Sequence, residues 1–308
     1  MRPLGFGEIV DGAVQLYRRD FGLYYLIGLV CSLPEYVLLV LWNPWEVLAS
    51  LDALEPGDDP SASLDQLGTA FGTLGYAFLI LGVGLVFMWF AALSLTVAIA
   101  DRIEARPTSI GAAFKGALPR IPGAAGATVV ALLMFLAVQF VVFLGTTLIG
   151  AVGMATASVG FLIGWSLVVA AVLTVVTIFW LGATFGVFPA IVLEGRRAMD
   201  ALSRSFSLCR KGWLRVMGVM VVAFIVWMTP GVAIQGLFGT WTLFQDPGDV
   251  ASIGPMQQWL INTADLVLGP LTLPFMVGCV MMLFHDRRVR SEAYDLERLA
   301  LDMESAGP

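Results

Sequence analysis

The sequence predicts an all-α polytopic membrane protein, with six transmembrane helices in three repeated units of an interfacial amphipathic helix plus a helix pair. Three observations carry that expectation. Of the 308 residues, 58% are apolar and 13% charged, with mean hydropathy +0.87; soluble domains run at roughly 45–50% apolar and about 25% charged. Such an excess cannot be hidden in one aqueous core, because a chain of this size still needs a polar surface. The chain also contains six apolar runs of the length, about 20 residues, that crosses a hydrocarbon layer roughly 30 Å thick. Finally, the basic residues are confined to alternate connections between those runs. A soluble enzyme, a disordered chain, a collagen and a disulfide-stapled secreted domain are all excluded, the last because only Cys31, Cys209 and Cys279 are present.

The runs follow in order: Phe21 to Trp42, Ala70 to Ala100, Gly123 to about Gly150, about Ser158 to Leu193, Trp213 to about Phe244, and Trp259 to Phe284. Those longer than about 25 residues imply tilt or protrusion. Ahead of the first run, residues 1–20 carry Glu8, Asp11, Arg18, Arg19 and Asp20 among apolar positions. That is an amphipathic segment, unlike the basic start, short apolar stretch and small-residue cleavage site of a signal peptide.

All 17 Lys and Arg fall in four segments: the first 20 residues, the 101–122 link, the 194–215 link, and the tail after Phe284. Connections 43–69, 151–157 and 245–258 hold none, and the first and last of these are acidic through Glu46, Asp52, Glu55, Asp58, Asp59, Asp65, Asp246 and Asp249. By the positive-inside rule, six helices with both termini in the cytoplasm is the topology that fits. The net charge of -6 is therefore an average over basic and acidic sides, and it implies no nucleic-acid partner.

An internal repeat underlies the order. Residues 7–22 lie over 199–214 at an offset of 192, pairing Leu16 with Leu208, Arg18 with Arg210, Arg19 with Lys211 and Phe21 with Trp213. A weaker copy at an offset of 104 pairs Gly7, Gly12 and Ala13 with Gly111, Gly116 and Ala117. The units are about 1–100, 101–193 and 194–284, closed by an amphipathic tail at 285–308, all within one integral membrane domain. Apolar residues with helical spacing beside cations describe helices lying at the membrane surface. Arg18, Arg19, Arg204, Arg210, Lys211, Arg287 and Arg288 are the candidate contacts to anionic lipid, each attracted by about 1 kcal/mol. Small residues in the third and fourth runs, such as Gly126, Gly145 and Gly164, suit close helix packing within the chain or between copies.

Ionisable groups inside a membrane mark a pathway or a partner. Glu35 follows Pro34 and lies fourteen residues past Phe21, roughly 20 Å along the helix at 1.5 Å per residue. The proline frees backbone groups that need other partners. Gln139, Asn262 and Asp265 complete a candidate polar site facing outward with Glu35. Enzymatic constellations are missing from the sequence: His285 is the only histidine, no cysteine has a CxxC partner, and no Walker loop, dinucleotide fingerprint or nucleophile elbow occurs. No metal or other cofactor is expected. His285, beside Asp286 and Arg287, reads as interfacial.

Three stretches carry a family likeness: RPLGFGEIVDGAVQLYRRDFG at 2–22, LEGRRAMDALSRSFSLCRKGWLRVMG at 193–218, and LFHDRRVRSEAYDLERLA at 283–300. The chain resembles the bacterial membrane domain named after glycerophosphoryl diester phosphodiesterase, a multi-helix module found alone and fused to a soluble catalytic domain. The resemblance implies a bacterial inner-membrane protein. It does not imply hydrolysis here, since phosphodiesterases of that name use paired histidines with carboxylates around a metal, and one histidine cannot supply them. The expected function is a non-catalytic membrane protein that organises lipids or partner proteins, with itself or another membrane protein as partner; the alternative is a small transporter or channel with Glu35 in its pathway.

Overall fold

In lipid every backbone N–H and C=O must find its partner within the chain, and apolar runs of this length therefore close into helices. The computed structural model describes residues 4–41, 60–154, 159–210, 212–234, 236–237 and 255–305, and among them there is no strand. The helices are α1 (Phe6–Arg19), α2 (Phe21–Leu41), α3 (Pro60–Ile103), α4 (Ile110–Ala117), α5 (Ile121–Met154), α6 (Val159–Thr184), α7 (Val187–Glu194), α8 (Ala198–Arg210), α9 (Trp213–Ile234) and α10 (Pro255–Ser305). Six stretches are long and apolar enough to cross a membrane: Phe21–Leu41, Leu74–Ile103, Ile110–Leu148, Ile163–Glu194, Trp213–Ile234 and Met256–Ser291. The protein is a multi-pass membrane protein. Large apolar side chains such as Leu133, Phe140, Leu167 and Ile225 point outward, as they must where the solvent is hydrocarbon.

Several expected boundaries move. The second run extends backward to Pro60. The fourth is broken after Thr184 and resumes at Val187. The break is bridged by Ser205 of α8, whose buried Oγ donates to the Ala183 carbonyl at 2.7 Å and accepts from the Gly186 N–H at 3.0 Å. Of the fifth run, helix α9 accounts for residues up to Ile234, and the stretch from 238 to Phe244 lies outside the described residues. The amphipathic tail expected from 285 continues the sixth helix without interruption to Ser305, because nothing between Phe284 and Arg290 breaks helix geometry.

Three of the short helices, α1, α4 and α8, pack under the bundle. α1 lies against α10, α4 against α3, and α8 against α5, α6 and α7. Their buried faces are Ile9 and Ala13, Ala113 and Ala117, and Ala201, Leu202, Ser205, Leu208 and Cys209. The core sits at this level, on the side of the basic connections, with Leu93, Val97, Ala124, Ala190, Val216, Val219, Leu283 and Phe284 among its members. Close approach is possible because the facing residues are small; a Cβ on Gly278 of α10 would stand 3.5 Å from that of Ala13.

The basic side is also tied by charge. Asp286, with a side chain 0% exposed, accepts from the Leu4 N–H at 2.9 Å and pairs with Arg290 at 2.9 Å and Arg215 at 3.3 Å. Both arginines also donate to the Leu4 carbonyl. The start of the chain is thereby fastened to α9 and α10. Arg102 at the end of α3 pairs with Asp20, between α1 and α2, at 2.8 Å.

Candidate functional site: a cavity with two carboxylates

On the opposite side, four helices separate enough to leave a cavity of about 270 Å³, walled by α2, α3, α9 and α10. Its geometry starts at the contact of α2 with α10. A Cβ on Gly28 would stand 3.0 Å from the Pro270 Cβ and 3.4 Å from its Cα, so only glycine allows the helices to lie this close without a shift. Glu35 is seven residues further along α2, two turns on the same face. Asp265 precedes Pro270 by five residues on α10. Both carboxylates line the cavity, Glu35 half-buried and Asp265 exposed. Tyr25 donates to the Val267 carbonyl at 3.2 Å, and the Tyr36 and Thr263 hydroxyls are 3.2 Å apart, which fixes the register of the two helices around the pair.

The Glu35 carboxyl group rests on Gly84 of α3. A Cβ at that position would lie 2.5 Å from Glu35 Cδ and 2.6 Å from each carboxylate oxygen. Glycine at 84 is thus what lets the acid fold against α3.

Prolines recur on the walls. Pro34, Pro230, Pro270 and Pro274 lie inside α2, α9 and α10. Each lacks the N–H that would bond to the carbonyl four residues earlier, which leaves the carbonyls of Val30, Val226, Leu266 and Pro270 without that donor. Elsewhere hydroxyls intervene: Ser32, on the lining, donates to the Gly28 carbonyl at 3.1 Å, and Thr272 donates to the Trp227 carbonyl at 3.1 Å. The two carboxylates and the Ser32 hydroxyl stand on a lining otherwise made largely of apolar groups such as Leu81, Leu85, Met88 and Trp227, so the polar groups available to a proton or a hard cation there are oxygens.

Of the four residues expected to share a polar site, Glu35 and Asp265 are brought together and two are not. Gln139 lies away from the cavity, its Nε2 donating to Thr177 Oγ1 at 2.9 Å between α5 and α6. Asn262 accepts from Gln258 of its own helix at 2.8 Å and is not on the lining. Sequence reasoning missed Gly84, Pro230 and Pro270. The prolines were visible as breaks in apolar runs, whereas Gly84 was one glycine among many.

The candidate lipid contacts separate in the same way. Arg18, Arg19 and Arg210 are exposed, and Lys211 lies outside the described residues. Arg204 pairs with Glu194 at 2.9 Å, and Arg288 stands 3.9 Å from the same carboxylate. Arg287 is only 5% exposed and donates from Nε to the Leu208 carbonyl at 3.1 Å. Burial pushes the nearby Cys209 thiol up, against the opposing pull of Arg287. His285, expected at the surface, is half-buried, and its Nε2 has no hydrogen-bond partner among the described residues.

Residues 123–285 match the family described as Domain of unknown function (DUF7847), which is just over half of the chain. The chain belongs to that family. The DUF7847 segment runs from the start of α5 into α10. It includes Asp265, Pro230 and Pro270, while Glu35 and Gly84 come from the part of the chain before it. No curated protein and no solved structure matches the chain.

Proposed function

We propose that the protein is a non-catalytic membrane protein that binds and passes a proton or small monovalent cation at the Glu35–Asp265 cavity. The observation that carries this reading is that two carboxylates from separate helices line one cavity, three of whose four wall helices carry internal prolines. Two carboxylates lining one cavity offer a proton or cation anionic partners from two helices.

The test is flux in proteoliposomes loaded with a pH-sensitive or Na⁺- or K⁺-sensitive dye. Wild-type protein is expected to dissipate an imposed gradient of one of these ions, and Glu35→Gln or Asp265→Asn to abolish it. Flux insensitive to both substitutions, or no flux of any of the three ions, overturns the reading.

The same proposal includes a bacterial inner-membrane location, both termini on the cytoplasmic side, and kinship with the glycerophosphoryl diester phosphodiesterase membrane domain without its hydrolytic activity. It also includes the threefold repeat. Support comes from α1, α4 and α8, which begin at Phe6, Ile110 and Ala198, at the 104 and 192 offsets found in the sequence. The residues at those offsets from Ile9 and Ala13 are Ala113 and Ala117, then Ala201 and Ser205, and all six are fully buried. A second reading, organisation of membrane lipids or of partner proteins, is favoured by the exposed cations of α1 and α8.

A further inference from the structure

A second cavity of about 280 Å³ opens on the basic side, between the start of α9 and the second half of α10. Arg210, Arg215, Arg287 and Arg290 line it. Among the described residues the carboxylate that pairs with them is Asp286, which takes Arg215 and Arg290. Arg287 bonds through Nε to the Leu208 carbonyl, and its remaining two nitrogens lie over Gly212: a Cβ there would stand 2.5 Å from Nη1 and 2.9 Å from Nη2. Trp213 and Leu214, the exposed first residues of α9, complete the lining, so the positive end of that helix adjoins the cavity.

Four guanidinium groups against one carboxylate repel one another unless an anion joins them. Guanidinium forks match the oxygens of carboxylate or phosphate. A carboxylate brings one charge and two oxygens, whereas a phosphoryl group brings three oxygens and close to two charges, the better match to four cations beside a helix N-terminus. The exposed Trp213 and Leu214 suit the interface between headgroups and acyl chains. We infer that the pocket formed by Arg210, Arg215, Arg287 and Arg290 is a phosphoryl-anion site, filled by a phospholipid headgroup or by free phosphate. The site is independent of the carboxylate cavity, and it differs from general attraction of scattered cations to a membrane because it depends on geometry as well as charge.

Gly212 separates the two. Gly212→Ala leaves the charge unchanged but displaces the Arg287 guanidinium, and Arg210→Gln removes an exposed charge. The intact chain in neutral detergent would be titrated by native mass spectrometry with short-chain phosphatidic acid, with phosphatidylcholine of equal chain length, and with inorganic phosphate. Phosphatidic acid is expected to bind in preference to phosphatidylcholine, and each substitution to weaken it about tenfold, as expected for loss of a charge-assisted contact. Phosphatidic acid retained without inorganic phosphate assigns a lipid headgroup; inorganic phosphate bound with the same sensitivity to both variants assigns the free anion. If Gly212→Ala lowers the melting temperature, Arg287→Lys replaces it, since it keeps the charge and loses the planar fork. The inference is overturned if neither anion binds, if phosphatidylcholine binds as well as phosphatidic acid, or if the charge-conserving variant binds like wild type.

Discussion

The two ends of this bundle are built on different principles. On the basic side, helix ends converge on three short amphipathic helices, small residues meet at Ala13 and Gly278, and the buried Asp286 fastens the chain start to α9 and α10. On the acidic side, the helices carry prolines and part around Glu35 and Asp265. Without a hydrophobic drive between helices in lipid, association rests on packing and hydrogen bonds. The basic end supplies both densely, which leaves the other end free to hold polar groups in an open cavity.

That contrast makes a graded set of expectations. The largest effect belongs to Asp286→Asn, which leaves Arg215 and Arg290 without their carboxylate: thermal unfolding in detergent should show a loss of about 3 kcal/mol, the usual consequence of breaking a buried ion pair. An unchanged unfolding temperature would remove Asp286 as the anchor of the basic end. Ser205→Ala should follow, at about 2 kcal/mol, because the Ala183 carbonyl and Gly186 N–H at the α6–α7 break lose their shared partner. Gly28→Ala should cost about 1 kcal/mol, since its Cβ presses on Pro270 and α2 must shift from α10. Smallest in stability, within about 0.5 kcal/mol, is Gly84→Ala, because the flexible Glu35 carboxyl group can swing aside. Its effect should appear instead as lost cation flux in proteoliposomes. A Gly84→Ala protein that unfolds readily would place Glu35 among the structural supports and blur the distinction between the two ends.

The spans were legible because roughly 20 apolar residues leave the chain few alternatives in lipid, and all six expected starts fall within a few residues of a helix start or inside a helix that begins earlier. The α6–α7 break was not legible. It occurs at Phe185–Gly186 inside a uniformly apolar run, and its stabilising hydroxyl comes from Ser205, nineteen residues beyond Gly186. That the tail from 285 continues α10 as one helix was not legible, because charge begins at His285; a change of surroundings altered composition without altering backbone geometry. At the candidate site, Glu35 stood out as a carboxylate beside a proline in an apolar run. Asp265 could be named but not paired, since its relation to Glu35 depends on how α2 crosses α10 at Gly28 and Pro270.

Composition, run length and the alternation of basic and acidic connections determined by themselves that this chain is helical, polytopic and polarised, because each reflects the local free energy of placing a residue in hydrocarbon or in water. Which polar groups meet was decided only in three dimensions. Glu35 joined Asp265 while Gln139 turned to Thr177, and Arg287 went inward to Leu208 while Arg18 stayed outside. Those outcomes follow from helix rotation and crossing distance, which small residues at a few contacts control and which no local preference encodes.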